Sequence, residues 1–461
     1  MNTVDLAYAG AAEQARLVRT GEVSARELLE ASLAQIEQLD PALNAFRTVL
    51  AEQALAAADD VDRNDGGPLL GVPVAIKDDT DVAGEVTAWG TAAAGPPARE
   101  DSPIVARLRR AGAIVIGKTN VPELDLWAFT ESKTFGPTRN PWNAARTPGG
   151  SSGGSAVAAA TGMCGVGHGT DGTGSARNPA AWTGLVGLKT SRSRLPVRSG
   201  GSAWRDMVVH GALGRHVADV AAFLDATAGE GFAAAAATPP QPLRIALTLA
   251  LPPGMSAEIG DAQRAAVLRA AAALRDLGHD VCRRDPQWPR GTYHAISVRY
   301  VTGVADDAGA LAHPERLETR TRRVVRIGRM TRPLVRWTRR VELAAAAALD
   351  DLHRDFDLLL FPGSVQGPPE IGHFDGRGAL HTLQKDTENV AFQPPWNLVG
   401  RPALMLPAGL DDDRLPLAVQ LGAPPNGEPL LLSLAAQLER TLGWDAPLPP
   451  IAAAGRTRVA R

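Results

Sequence analysis

Cysteine is nearly absent from this chain of 461 residues; only Cys164 and Cys282 occur. Two cysteines cannot build a disulfide framework, nor by themselves a Cys-rich zinc site, so a reducing cytoplasm is the expected setting. No metal and no organic cofactor is expected. Lysine is also scarce. There are five, at Lys77, Lys118, Lys133, Lys189 and Lys385, and arginine carries nearly all the positive charge. Arginine cannot act as a proton-accepting base, because it does not deprotonate in proteins. A lysine kept in such a chain raises the question of whether its amine is needed, although most of the five require no special reason. An excess of either charge is missing as well. The 48 basic and 50 acidic residues leave a formal net charge of −2, which gives no whole-chain case for nucleic acid or an anionic membrane. No apolar run of about eighteen residues is free of charge, so no spanning helix is expected. The first residues, MNTVDLAYAGAAEQARL, show no basic segment followed by an apolar one, and no signal peptide is expected there.

What remains is the balance of a soluble globular protein, 44% hydrophobic and 21% charged. The first sixty or so residues read as helical. Ser24-Ala25-Arg26-Glu27 is a capping-box pattern opening an amphipathic helix to about Leu39, stopped by Pro41. A second helix is expected over residues 49–61 and a turn over residues 64–68. Residues 72–77 read as a buried strand, residues 103–110 as a helix and residues 113–116 as a strand. Beyond them, helical patterns (217–226, 262–277, 429–442) alternate with apolar strands (185–188, 244–247, 358–361, 403–406, 417–421). Such alternation predicts α/β layers with helices on both faces of a sheet. The best candidate for a boundary is the Ala- and Pro-rich stretch at 233–242, which also fits a surface loop. No internal repeat is found.

Three local patterns compete for a functional reading. Gly112-Ala-Ile-Val-Ile-Gly117-Lys118-Thr119 matches the phosphate-loop expression, but its interior reads as a strand rather than a Gly-rich loop. Gly149-Gly150-Ser151-Ser152-Gly153 matches the nucleophile elbow of α/β-hydrolases, but the apolar strand that an elbow requires does not precede it. Residues 318–340 carry Arg322, Arg323, Arg326, Arg329, Arg339 and Arg340. With charge balanced elsewhere and few aromatics to stack on bases, a solvated helical face explains them better than nucleic acid or membrane.

Residues 147–175 are dense in Gly, Ser, Ala and Thr. A flexible linker would have this composition. Against that, the helix-like run 155–161 and the residues Val166, His168 and Asp171 interrupt it. Glycine used this way points to backbones packed closely or held at positive φ. Three segments then suggest chemistry together: Gly71-Val-Pro-Val-Ala-Ile-Lys77-Asp78, Pro148-Gly-Gly-Ser151-Ser152-Gly-Gly-Ser155, and Gly169-Thr-Asp171-Gly-Thr-Gly174-Ser175-Ala-Arg177. A serine hydroxyl needs a base to remove its proton during attack. A buried lysine whose pKa is lowered by desolvation can be that base. A Gly-rich loop can converge backbone N–H groups on one oxygen, as an oxyanion hole requires.

These segments resemble the amidase signature family. The likeness covers roughly residues 70–196, including Thr134-Phe-Gly-Pro-Thr-Arg-Asn-Pro-Trp142-Asn, and resumes at Pro395-Trp-Asn-Leu-Val-Gly-Arg-Pro-Ala-Leu and Leu415-Pro-Leu-Ala-Val-Gln-Leu. The resemblance implies one large α/β/α domain over residues 1–461, with a mixed, mostly parallel twisted sheet flanked by helices. Within it lie an N-terminal helical segment (1–66) and a catalytic core (70–200). It implies a Ser–cis-Ser–Lys triad: Ser175 as nucleophile, Ser151 as the bridging serine on a cis peptide bond after Gly150, and neutral Lys77 as base. It further implies an oxyanion hole from the N–H groups of Gly172, Thr173, Gly174 and Ser175. Ser152 would support the network, and Asp171 and Arg177 would brace the loop as an ion pair.

Members of the family commonly read Asp-x-Gly-Gly-Ser where this chain has Thr173. A β-branched residue does not readily take a positive φ, so Thr173 is the questionable donor. Ala176 and Asn178 also stand where larger apolar residues are usual. By the same resemblance the acyl pocket includes residues 124–129, with Leu126, Trp127 and Ala128 against the substrate. The bulk of Trp127 points to aryl or alkyl amides, carbamates or esters as small-molecule substrates; ordinary core packing would explain it equally well. Rival readings are a glutamine-hydrolysing subunit of a tRNA-dependent amidotransferase and a non-catalytic binding module on the same fold. A homodimer stays open.

Overall fold

The computed structural model describes residues 3–61, 67–197 and 203–453. Its centre is one eleven-stranded sheet in the order β1-β3-β2-β6-β8-β7-β12-β13-β11-β9-β10. The strands are β1 (Phe46–Val49), β2 (Pro73–Lys77), β3 (Ile114–Thr119), β6 (Val166–Asp171), β7 (Val186–Lys189), β8 (Val209–Gly214), β9 (Arg244–Leu247), β10 (Asp280–Arg283), β11 (Leu358–Pro362), β12 (Ala403–Leu410) and β13 (Pro416–Gly422). A separate ribbon pairs β4 (Glu131–Ser132) with β5 (Gly136–Pro137).

Alternation along the strands divides the core into two layers. Val74, Ile76, Leu404, Leu406, Val419 and Leu421 face one layer, with helices Val217–Ala228, Asp261–Asp276 and Glu428–Thr441 over them. Ala75, Met405 and Ala418 face the other, under helices Ala25–Leu43, Gly153–Ala160 and Arg177–Thr183. This is the expected large mixed sheet flanked by helices. Parallel pairing is confined to two groups, β3-β2-β6 and β11-β9-β10. The middle of the sheet is antiparallel, so parallel ladders are fewer than the resemblance implies. The connection from β12 to β13 shows why: five residues can return a chain only to an antiparallel neighbour.

Local expectations hold or shift for identifiable reasons. Ser24 caps its helix as expected, with Glu27 completing the reciprocal box. Pro41 does not stop that helix. The helix runs to Leu43 and ends where Asn44 turns left-handed (φ 54°) and its N–H bonds to Asp40 O. The expected helix over 49–61 starts later, at Ala51, because Phe46, Thr48 and Val49 are drawn into an edge strand along β3. The turn expected over residues 64–68 lies partly outside the described residues. Strand β3 extends through Gly117, Lys118 and Thr119, and Lys118 Nζ pairs with Asp78 Oδ1 at 2.9 Å. The phosphate-loop pattern is therefore a strand. The stretch at 233–242 separates no cores, since Phe232 and Ala236 pack in the same layer as Val74 and Val419. Arg322, Arg323, Arg326, Arg329, Arg339 and Arg340 all lie exposed on helices Thr319–Thr331 and Val335–His353. No helix among the described residues is long and apolar enough to cross a membrane.

Candidate active site

Strands β2 and β6 run parallel, so their carboxyl ends open on the same edge of the sheet, the place where α/β sheets commonly bind ligands. β2 ends on Lys77. β6 ends on Thr170 and Asp171, and the chain then makes a short loop to Ser175 before helix Arg177–Thr183. The Gly- and Ser-rich stretch 147–175 is buried except at Thr173, which excludes a linker. Its glycines are needed for contact. A Cβ on Gly154 would fall 2.4 Å from Ala45 O and 2.6 Å from Asn120 N.

This packing carries Ser151 to Lys77. The Gly150–Ser151 peptide bond is cis, as the resemblance implies. Lys77 Nζ donates to Ser151 Oγ at 2.8 Å and to Thr170 Oγ1 at 2.6 Å. Ser152 N donates to Ser175 O at 3.0 Å, and Ser152 Oγ to Thr170 O at 3.2 Å, so Ser152 ties the two serine-bearing segments together. Lys77 and Ser151 are inaccessible, whereas Ser175 keeps 7% of its surface exposed. Ser151 and Ser175 both line one cavity.

The charge on Lys77 departs from expectation. Burial by itself would lower its pKa. Two carboxyl groups oppose this, Asp125 Oδ1 at 3.1 Å and Asp79 Oδ2 at 3.2 Å, and they raise the amine above the ordinary lysine value. Lys77 therefore rests as an ammonium, not as the neutral base expected from burial alone.

The loop before Ser175 hangs on Asp171. Arg177 meets the Asp171 carboxylate through Nε and Nη2, both at 3.0 Å, with the two side chains fully buried. Burial would push the Asp171 carboxyl up. The Arg177 guanidinium, aided by Lys189 and Asn397, outweighs it and holds the group well below the usual carboxylate range. Asn397 Nδ2 also donates to Asp171 O at 2.8 Å, and Arg177 reaches Gln420 Oε1 at 2.8 Å and Gln393 O at 3.0 Å. Asp171 Oδ1 takes the N–H of Gly174 at 2.8 Å. That N–H, one of four expected oxyanion donors, is thus committed within the loop. The positive φ of the loop falls on Gly174 (117°) and not on Thr173, so threonine is accommodated at 173 without left-handed strain.

Two cavities meet at Ser175. One, of about 480 Å³, is lined by Leu126, Trp127, Ala128, Thr173 and Gly174, with Tyr300 and Asp386 beyond. Trp127 lines this cavity and also stacks on Phe129 within an apolar core. Asn178 Nδ2 donates to Ala128 O at 2.9 Å and fixes this wall. The other cavity, of about 760 Å³, is lined by Ser151 and Ser175 together with Trp89, Trp204, Val208 and His210. Sequence reading missed this second cavity and Asp79, and it placed Asp125 only within the segment 124–129 of the acyl pocket, not beside Lys77. Trp89 and Trp204 belong to segments distant in sequence, and no spacing pattern joins them. Asn397 and Gln420 fall inside the two C-terminal segments that carry the resemblance, which was the available signal for them.

Comparison with known proteins identifies the family. The family model described as Amidase matches residues 27–432. The chain is 47% identical over 455 residues to the Mycobacterium tuberculosis protein AmiB2, itself provisionally named an amidase, covering 96% of this chain and 98% of that one. It is 34% identical over 505 residues to the 6-aminohexanoate-cyclic-dimer hydrolase of Paenarthrobacter ureafaciens, covering 98% of each. A 6-aminohexanoate cyclic dimer hydrolase solved with its substrate superposes with a TM-score of 0.89 at 32% identity, covering 97% of this chain and all of that one. A bacterial aryl acylamidase superposes with a TM-score of 0.86 at 25% identity, covering 97% and 98%. The chain belongs to the amidase signature family and is an amide-hydrolysing enzyme.

Proposed function

We propose that the enzyme cleaves the C–N bond of small amides through an acyl-enzyme on Ser175. The observation that carries this reading is the 2.8 Å bond from Lys77 Nζ to Ser151 Oγ beside the cavity that Ser151 and Ser175 both line. In the reaction Ser151 takes the proton from Ser175 Oγ and passes its own to Lys77 once that amine has given up its extra proton. The Ser175 oxygen attacks the carbonyl carbon, and the negative charge that develops on the carbonyl oxygen is held by backbone N–H groups. With Gly174 committed to Asp171, the donors are those of Gly172, Thr173 and Ser175. Such donors stabilise the transition state more than the ground state. The proton then returns through Ser151 to the leaving nitrogen, and water releases the acid by the same relay.

The substrates are amides with an apolar aryl or alkyl part, and carbamates and esters of similar shape. Leu126, Trp127 and Ala128 line the side that takes the acyl half, and the amine half lies toward Trp89 and Trp204. These apolar walls support this class over the polar side chain of glutamine. The test is a panel of aryl and alkyl amides, carbamates and esters, run beside glutamine. Turnover confined to glutamine would contradict the proposal.

A further inference from the structure

Four oxygens crowd Lys77 Nζ within 3.2 Å: Thr170 Oγ1, Ser151 Oγ, Asp125 Oδ1 and Asp79 Oδ2. An ammonium has three N–H donors and no lone pair. In this state Lys77 donates to Ser151 and cannot take a proton from it. The relay needs a group that first removes a proton from Lys77. Only the two carboxyl groups among these four can do so.

They are not equivalent. Asp79 is already engaged, with Thr80 Oγ1 donating to its Oδ1 at 2.7 Å and Thr170 Oγ1 donating to its Oδ2. Asp125 Oδ1 faces Lys77 at 3.1 Å, and its interactions are with Lys77 and the Asp79 carboxyl rather than with hydroxyl donors. The backbone that presents it is strained. Leu124 and Asp125 are successive left-handed residues, at φ 54° and 56°. Such conformations are disfavoured outside glycine, and they tend to persist where a side chain must be aimed.

We propose that Asp125, held beside Asp79, is a positioning residue that frees the Lys77 amine by taking its proton. Once the cluster has released one proton to solvent and Asp125 is ionised, the N–H bond of Lys77 breaks as an O–H bond forms on the Asp125 carboxylate. The lone pair freed on Lys77 then accepts the proton that Ser151 has relayed from Ser175. The return transfer to the leaving nitrogen restores the starting arrangement, so protons balance over the cycle. This inference rests on Ser175 as nucleophile and adds the group that completes its base.

The surrounding charges fit. Burial, reinforced by Asp79 and opposed by Lys77, pushes the Asp125 carboxyl well above the usual range. Asp79 is buried too, but Lys77 holds it low. The resting cluster is then neutral, with Asp79 charged, Asp125 protonated and Lys77 an ammonium. Loss of one proton leaves a single proton for Asp125 and Lys77 to share, and this coupled loss sets the acidic limb of activity. His168 and His210 face the cluster from β6 and β8. Burial pushes them down to about 3 and about 4, so both are neutral throughout. Tyr300, from helix Thr292–Ala310, is buried and stays neutral. Asp386, from helix Ala379–Asn389, is pushed up to about 7 by burial and must be controlled for.

The test is the rate of Ser175 modification by an aryl fluorophosphonate, beside kcat/KM on one aryl amide, from about pH 5 to about pH 10. In Asp125→Asn the proton must leave Lys77 itself, beside the Asp79 anion. The acidic limb should move up by about one pH unit or more, with at least about a tenfold loss below it. Asp125→Glu should bring the limb back toward wild type. Asp79→Asn should move it the other way, to lower pH, because an anion facing Lys77 is gone. A limb unmoved in Asp79→Asn or Asp125→Asn overturns the inference, as does an equal loss at every pH. So does a limb that disappears in Asp386→Asn. Wild-type enzyme that leaves Ser175 unmodified would instead overturn the nucleophile assignment.

Discussion

Asp171 and Arg177 meet in a two-pronged pair, Nη2 to Oδ1 and Nε to Oδ2, each at 3.0 Å, and neither side chain reaches solvent. Removing one partner of a buried pair leaves an uncompensated charge, which costs about 3–5 kcal/mol. Arg177→Ala should therefore lower stability by that order in urea unfolding. Arg177→Lys should recover little of it, since one ammonium cannot also reach Asn397, Gln420 and Gln393 O. Near-wild-type stability in either variant would show that the loop does not depend on the pair.

Gly174 meets two constraints at once. Its φ of 117° is rarely open to other residues, and a Cβ there would fall 2.0 Å from Gln393 Oε1. Gly174→Ala must shift the loop that carries the neighbouring N–H groups of Thr173 and Ser175. Displacing one oxyanion donor typically costs about a hundredfold or more in kcat. The expected result is a fall of that order in kcat on an aryl amide, with KM changed much less. Wild-type kcat would contradict the loop's role.

Asp386 is buried against the cavity, and burial pushes its carboxyl up to about 7. In the unfolded chain it titrates near the ordinary value of about 4. Between these values the folded state binds more protons, so stability falls as pH rises from about 4 to about 7. Asp386→Asn carries no charge to lose. Its melting temperature, measured against wild type, should rise progressively from about pH 4 to about pH 7 and level off above that. A difference independent of pH would mean that Asp386 is ionised throughout.

The proposed triad was suggested by three short motifs in fixed order, whose resemblance to the family brought Lys77, Ser151 and Ser175 into view together, and the same resemblance implied the cis bond at Gly150. The helix cap at Ser24 was legible because its two partners lie three residues apart. The charge on Lys77 was not. Burial could be inferred from the apolar strand before it, but Asp125 arrives from a turn 48 residues away, and nothing in local spacing predicts that contact. Edge strand β1 was hidden for a similar reason: Phe46–Val49 becomes a strand only because β3 offers it a free edge. Gly174 looked like an oxyanion donor until its N–H was found on Asp171.

The central claim is that the Lys77–Ser151 pair activates Ser175 for attack. It is tested most directly by quenching the enzyme during turnover of an activated aryl ester and locating the acyl group by peptide mass spectrometry. The acyl group should be found on Ser175 in stoichiometric amount. It should be absent in Ser175→Ala and form orders of magnitude more slowly in Lys77→Ala that retains its fold. Acylation of another residue, or an undiminished rate in Lys77→Ala, would contradict it.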